Sequence, residues 1–246
     1  MITKIKEVKT RKDLRTFVHF PNQLYKDNPY YVPQIESMDL DTLTPGKNHA
    51  FEVCEGKYWL AYNERGEVVG RVAGIINRMF NEKAGEKICR FGWIDFIDDR
   101  DVSKSLMDTV ERYAKENGLE MMNGPMGFLE FDPAGVLVEG FDKLPTAYGK
   151  YNAPYYEKHL MDLGYAKDAD YVEYLIKVPE VIPERYERMA QLVPSRTACI
   201  RPFSTTARNW SLSWMACSVA LTRLTQSCTV FRNFLLANAM TLRNSS

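Results

Sequence analysis

The chain has 246 residues, 45% of them hydrophobic, 26% charged and 12% aromatic, which is enough to bury a core in one or two domains at roughly 100–200 residues each. Its 32 basic and 32 acidic side chains cancel and its isoelectric point is about 6.8, so no global field draws it to nucleic acid or to a membrane surface. The start, Met1 to Lys9, is polar and lacks the apolar stretch of a secretory signal, and no apolar run of about 18 residues predicts a transmembrane helix.

In chain order, Leu14, Phe17 and Val18 stand at close to helical spacing, and Pro21 is expected to end that helix. Tyr25 to Pro45, rich in Pro, Asp and aromatics, reads as an irregular connection. Tyr58–Tyr62 and Val68–Ile76 read as two strands around the turn Asn63-Glu-Arg-Gly66. Both are nearly apolar, so this hairpin should be covered on both faces. A loop over Asn81–Glu86 leads to an aromatic-rich strand, Ile88–Ile97. The helix that follows has Asp99 or Asp101 as its cap, one apolar face made by Leu106, Val110, Tyr113 and Ala114, and Asn117-Gly118 as its stop.

Leu119–Met122 is a short strand, Gly127–Gly149 is loop-rich with Val136–Val138 inside it, Tyr155–Leu163 is a short helix closed by Gly164, and Tyr171–Val178 is a last strand. The expected fold class is α/β (α+β), a mixed sheet with helices packed on it. The five cysteines (Cys54, Cys89, Cys199, Cys217, Cys228) are scattered, as reduced thiols of a cytoplasmic protein would be.

Composition changes near residue 190. The last glycine is Gly164, the last lysine Lys177 and the last acidic residue Glu187. Beyond Pro194 the charge is all Arg, and folded surfaces normally mix both signs. The expected organisation is a domain over residues 1–180, a linker or helix start over 181–193, and an atypical tail over 194–246. The tail is either a true Arg/Ser-rich extension or, as favoured, the product of a frame error.

Several strings carry a resemblance. The hairpin Trp59-Leu-Ala-Tyr-Asn-Glu-Arg-Gly-Glu-Val-Val-Gly-Arg-Val-Ala-Gly74 is similar to the second and third strands of GNAT acyltransferases. Gly124-Pro-Met126, Glu139-Gly-Phe-Asp142 and Tyr151-Asn-Ala-Pro-Tyr-Tyr156, with Phe20-Pro21 and Asn28-Pro29 before them, resemble a bacterial branch of GNAT-like proteins that includes the bacterial ceramide synthases. Over residues 5–180 the resemblance implies a largely antiparallel GNAT-like sheet flanked by helices. It also implies N-acyl transfer from acyl-CoA, acetyl-CoA or an acyl carrier protein to an amine, which in this branch is a sphingoid base. Members of the branch are longer than this chain. A cytoplasmic location with peripheral membrane contact suits a lipid amine, and no nucleic-acid partner is expected.

Acyl transfer needs a grip on the donor, a base for the ammonium and a proton for the leaving thiolate. The GNAT pyrophosphate loop maps to Ile97–Ser103, which has three carboxylates and no glycine. Arg100 and Ser103 are its candidate phosphate contacts, beside Ile97. Such acids should repel pyrophosphate, which favours a carrier-protein donor. Asp95, set between Ile94 and Phe96, is the candidate base, and the alternative is a carboxylate paired with an Arg. Glu130 and Asp132, past the Gly-Pro turn, are alternative bases or substrate contacts.

The usual GNAT tyrosine position is Leu160 here, so Tyr156 or Tyr155 would have to protonate the thiolate or contact substrate. Tyr151 and Asn152 are substrate and donor contacts on resemblance only. His49 and His159 lack metal-ligand spacing and read as surface residues; no metal is expected.

Overall fold

The structure, a computed structural model, describes residues 2–129, 132–146, 149–174, 181, 184–188 and 228–237. The chain divides into two compact units, Met1–Glu173 with Thr229–Ser246, and Tyr174–Cys228. In the second unit, residues 184–188 form a helical turn. The elements in chain order are β1 (Ile2–Glu7), α1 (Arg11–Leu24), α2 (Glu36–Thr42), β2 (Cys54–Asn63), β3 (Val68–Asn77), α3 (Arg78–Ala84), β4 (Ile88–Phe96), α4 (Arg100–Glu116), β5 (Met121–Gly124), β6 (Val136–Glu139), α5 (Tyr155–Asp162), β7 (Ala166–Tyr174) and β8 (Cys228–Ala237).

The sheet runs β1-β2-β3-β4-β5-β8-β6, with β7 paired to β8 off that path. Only the β4–β5 pair is parallel among the registers described; β1 to β4, β5–β8 and β6–β8 are antiparallel. Alternation along β2 splits the core into two layers. Trp59 and Ala61 join Val102, Leu106, Val110 and Tyr113 of α4 on one face. Tyr58 and Leu60 join Phe17 and Val18 of α1 on the other. Gly70 lets α4 approach β3 closely, because a Cβ there would stand 2.8 Å from Leu106 Cδ1. The cap of α4 is Asp99, whose side chain accepts from the Asp101 N–H.

Several elements differ from the sequence expectation. Helix α1 runs through Pro21 to Leu24. Proline removes the N–H that Phe17 C=O would accept from, but the Arg71 guanidinium donates to that carbonyl instead, Nη1 to O 2.8 Å. Residues Arg78–Ala84, expected in part as loop, form α3, started by Asn77 accepting from Phe80 N–H and closed by Gly85 at φ 69°. A helix, α2, lies inside the segment read as irregular. Strand β1 carries the polar sequence of an outer edge strand and has no apolar alternation to announce it. Strand β2 begins at Cys54, four residues before the apolar run that marks it, and β7 begins at Ala166. Most of the 194–246 tail lies outside the described residues, but Cys228–Ala237 within it form β8.

Candidate active site

The site is built where the sheet changes direction. Between the pairs Arg71↔Asp95 and Ala73↔Gly92, one β3 residue (Val72) faces two of β4 (Trp93 and Ile94). This bulge puts Trp93 at φ 42°, a sparsely populated backbone conformation for a bulky residue. On its other side β4 pairs with β5 over only three positions, ending at Arg90↔Asn123. A last link, Met126 N–H to Phe91 O at 2.8 Å, follows, and then the two strands part. A parting parallel pair leaves the far half of β4 with one unpaired edge.

The side chains at that edge form a connected polar cluster. Arg71, fully buried, donates through Nε to Asp95 Oδ2 at 2.7 Å. Its Nη2 is also 2.7 Å from Oδ2 but lacks the angle of a hydrogen bond. Asp95 is 3% exposed, and its Oδ1 receives only a long contact from Tyr25 OH at 3.4 Å. The hydroxyls of Tyr25 and Tyr156 are 2.6 Å apart. Burial, with the Asp95 and Tyr155 charges or hydroxyls nearby, pushes both phenols well above their ordinary range, so both keep their protons.

Tyr156 also accepts from Phe96 N–H at 2.9 Å, and Tyr155 donates to Phe96 O at 2.6 Å. The Tyr156 ring stacks on Phe96, centroids 4.2 Å apart. The two α5 tyrosines thereby take the free backbone edge of β4 at Phe96. What remains open is a cavity of about 30 Å³ lined by Trp93, Asp95, Pro125, Lys150, Tyr151 and Tyr156 among others. That is room for about two waters.

The expected site residues fall into three groups. Asp95, Tyr151, Tyr155 and Tyr156 gather at this edge; Tyr151 OH accepts from Asn28 Nδ2 at 2.6 Å, and its ring meets Tyr25 edge-on. Asn152 is buried nearby with its amide spent on β6, accepting from Leu137 N–H at 2.7 Å and donating to Leu137 O at 3.2 Å. Asp132 closes its own turn, accepting from Leu129 N–H at 3.0 Å. Glu130 lies outside the described residues.

The donor loop is a different matter. Ile97 N–H donates to Val69 O, Arg100 reaches the Asp162 carbonyl at 3.5 Å, and Ser103 is fully buried. Asp99 occupies the N-terminus of α4, with Asp98 and Asp101 beside it. These residues do not fit a pyrophosphate: the helix end is capped by a carboxylate and its flanks repel an anion.

His159 also departs from expectation. It is 9% exposed, with Nδ1 2.8 Å from Ser103 Oγ and Nε2 3.0 Å from Asp98 Oδ1. It ties α5 to the start of α4. Arg71 and Tyr25 are the residues sequence reasoning missed. A lone cation in a strand otherwise buried and apolar was the available signal for Arg71, since such a charge needs a partner.

The strand order, the bulge and the parting parallel pair decide the architecture. The chain has the GNAT fold. A solved structure of similar fold, the spermidine N-acetyltransferase of Vibrio cholerae determined with CoA and spermine, superposes with a TM-score of 0.50 over 98% of this chain and 99% of that one, at 11% identity. No family model matches the chain. Among curated proteins it is 32% identical over 163 residues to Protein YghO of Escherichia coli K12, covering 65% of this chain and 40% of that protein. It is 28% identical over 186 residues to the bacterial ceramide synthase of Caulobacter vibrioides, covering 74% of this chain and 48% of that protein. The chain spans under half the length of either curated relative. Within the described residues of this GNAT fold, no helix is long and apolar enough to cross a membrane.

Proposed function

We propose that this chain is an N-acyltransferase that moves an acyl group from a thioester to an amine. The observation that carries the reading is the bulge at Trp93–Ile94 beside the parting of β4 and β5 after Arg90↔Asn123. Unpaired backbone at that edge can take an extended donor arm by strand-like hydrogen bonds. The amine nitrogen attacks the thioester carbonyl, the C–N bond forms, and the C–S bond breaks with its electron pair on sulfur. The similarity to a bacterial ceramide synthase supports a long-chain amino base as acceptor.

Both phenols at the edge hold their protons firmly, so Tyr25 and Tyr156 serve as hydrogen-bond donors. Arg71 holds the Asp95 side chain in place, and the part of Asp95 is to orient the tyrosines. Glu130 stays an alternative base and Asp132 a substrate contact. The acidic α4 N-terminus supports acyl carrier protein over acyl-CoA as donor. Incubating the full chain with sphinganine and either palmitoyl-CoA or palmitoyl-carrier protein, with mass spectrometry of N-palmitoyl product, tests the reading. Product from the carrier protein alone assigns the donor, and product from neither overturns the enzymatic reading.

The tyrosine plug at Phe96 favours a second reading, a GNAT fold kept for binding without turnover. Calorimetric binding of a long-chain amine with no product from either donor would establish it. The shift in composition after Val193 supports a frame-shifted or lost C-terminal region, which the gene read in three frames past that codon tests.

A further inference from the structure

Lys150 forms part of the cavity wall, in the segment leading into α5, half-buried and with its Nζ 5.7 Å from the ring centroid of Trp93 at the bulge. The other titratable residues on that wall are already engaged. Asp95 is held by Arg71, Tyr151 by Asn28, and Tyr156 by Phe96 and Tyr25. Lys150 alone among them has neither a hydrogen bond nor an ion pair to a described residue, only the face of Trp93. A half-buried ammonium set among aromatic and apolar side chains is costly to the extent that no anion matches it.

We propose that Lys150 is the proton carrier of the acyl transfer, taking a proton from the substrate ammonium and returning one to the leaving thiolate. The inference rests on the acyltransferase reading. The uncharged Nζ accepts a proton, turning R–NH3+ into R–NH2. The freed lone pair forms the C–N bond to the thioester carbonyl carbon. The C–S bond breaks, sulfur leaves with the electron pair, and the Lys150 ammonium protonates it. The second proton on the attacking nitrogen passes to solvent, so one proton is released per amide formed.

The electrostatic surroundings favour the uncharged form. Burial lowers the Lys150 pKa first, and the Arg71 guanidinium lowers it further, against the opposing pull of Asp95, Asp39 and Asp132. A lysine whose ammonium is disfavoured in this way is a better proton acceptor than an exposed one, which suits the task of deprotonating another amine. The tyrosines of the cluster are shifted the opposite way and cannot do this.

Two measurements on the full chain test the proposal. In the first, amine labelling with fluorodinitrobenzene over roughly pH 6–11 is followed by peptide mass spectrometry. Lys150 is expected to reach half-modification at a lower pH than exposed lysines such as Lys26. Coincident titration overturns the proposal whether or not the protein turns over.

In the second, palmitoyl transfer to sphinganine is followed against pH. The wild-type kcat should rise through the labelling midpoint of Lys150. K150M should lose kcat by about 10²–10⁴-fold with KM for sphinganine little changed, and lose that rise. Toward hydroxylamine, which arrives unprotonated, K150M should lose less kcat than toward sphinganine, because only the return of a proton to the thiolate is missing. Amide formation by K150M with the wild-type pH profile overturns the assignment and leaves the acyltransferase reading intact. Absence of amide from the wild type, with Lys150 still labelling early, overturns the acyltransferase reading and the proton carrier with it.

Discussion

Arg71 Nη1 lies 2.8 Å from the carbonyl oxygen of Phe17, the acceptor that Pro21 leaves without its helical donor. The same guanidinium holds Asp95, so one buried cation serves both a helix defect and a buried carboxylate. Arg71→Met strands both. It should destabilise the protein by about 3–5 kcal/mol, read as a fall in the urea midpoint. The double variant R71M/D95L, with no buried charge left, should lose less than R71M alone. Equal losses would show that the pair is not coupled.

Tyr156→Phe removes the acceptor of Phe96 N–H and should cost about 1–3 kcal/mol. Tyr155→Phe should cost less, because Tyr156 OH also reaches Phe96 O, at 3.4 Å. Y155F/Y156F together free the β4 edge. Calorimetry should then show tighter binding of palmitoyl-CoA despite a lower melting temperature. Unchanged donor affinity would mean that the plug does not compete with the donor.

Asp101 is an exposed acid in the first turn of α4, where a carboxylate favours the helix and disfavours an anionic ligand. Asp101→Asn should lower stability by about 0.3–1 kcal/mol and raise affinity for palmitoyl-CoA, with the gain shrinking as salt is added. Affinity for a palmitoyl-carrier protein should not follow that pattern.

The α1 cap makes a pH prediction far from the site. Lys6, Thr10 and the backbone around Thr10 hold the Asp13 carboxylate down to about 2. A depressed folded value contributes stability that is present above the unfolded value near 3.8 and lost as pH falls through about 2. Acid unfolding followed by far-UV circular dichroism should show this contribution disappearing between those limits. D13N should remove it while leaving the Thr10 cap of the residue 13 N–H in place.

The β2–β3 hairpin, the aromatic β4 and the capped α4 were legible because local chemistry decides them: turn residues, apolar runs and an Asp before a periodic face. Helix α1 beyond Pro21 was not. Its continuation depends on Arg71, distant in sequence, and no local rule supplies a donor from another strand. Asp95 could be picked out as an acid inside an apolar strand, but its partner could be named only by the β3–β4 register. The Phe96 edge was hidden for the same reason: which backbone groups go unpaired follows from a bulge and from where two strands part. His159 looked solitary in the sequence because Asp98 and Ser103 meet it across the α4–α5 contact. Strand β8 arises in a segment whose composition gave no reason to expect sheet.

Phe17, Arg71, Asp95, Tyr25, Tyr156 and Phe96 form one unbroken chain of polar contacts from α1 across β3 and β4 to α5. Lifting Tyr156 to admit a guest takes away Tyr25's partner and loosens the grip on α1. Entry at the β4 edge is therefore felt at the Phe17 carbonyl of α1, and the two should loosen together, as the parts of a latch do.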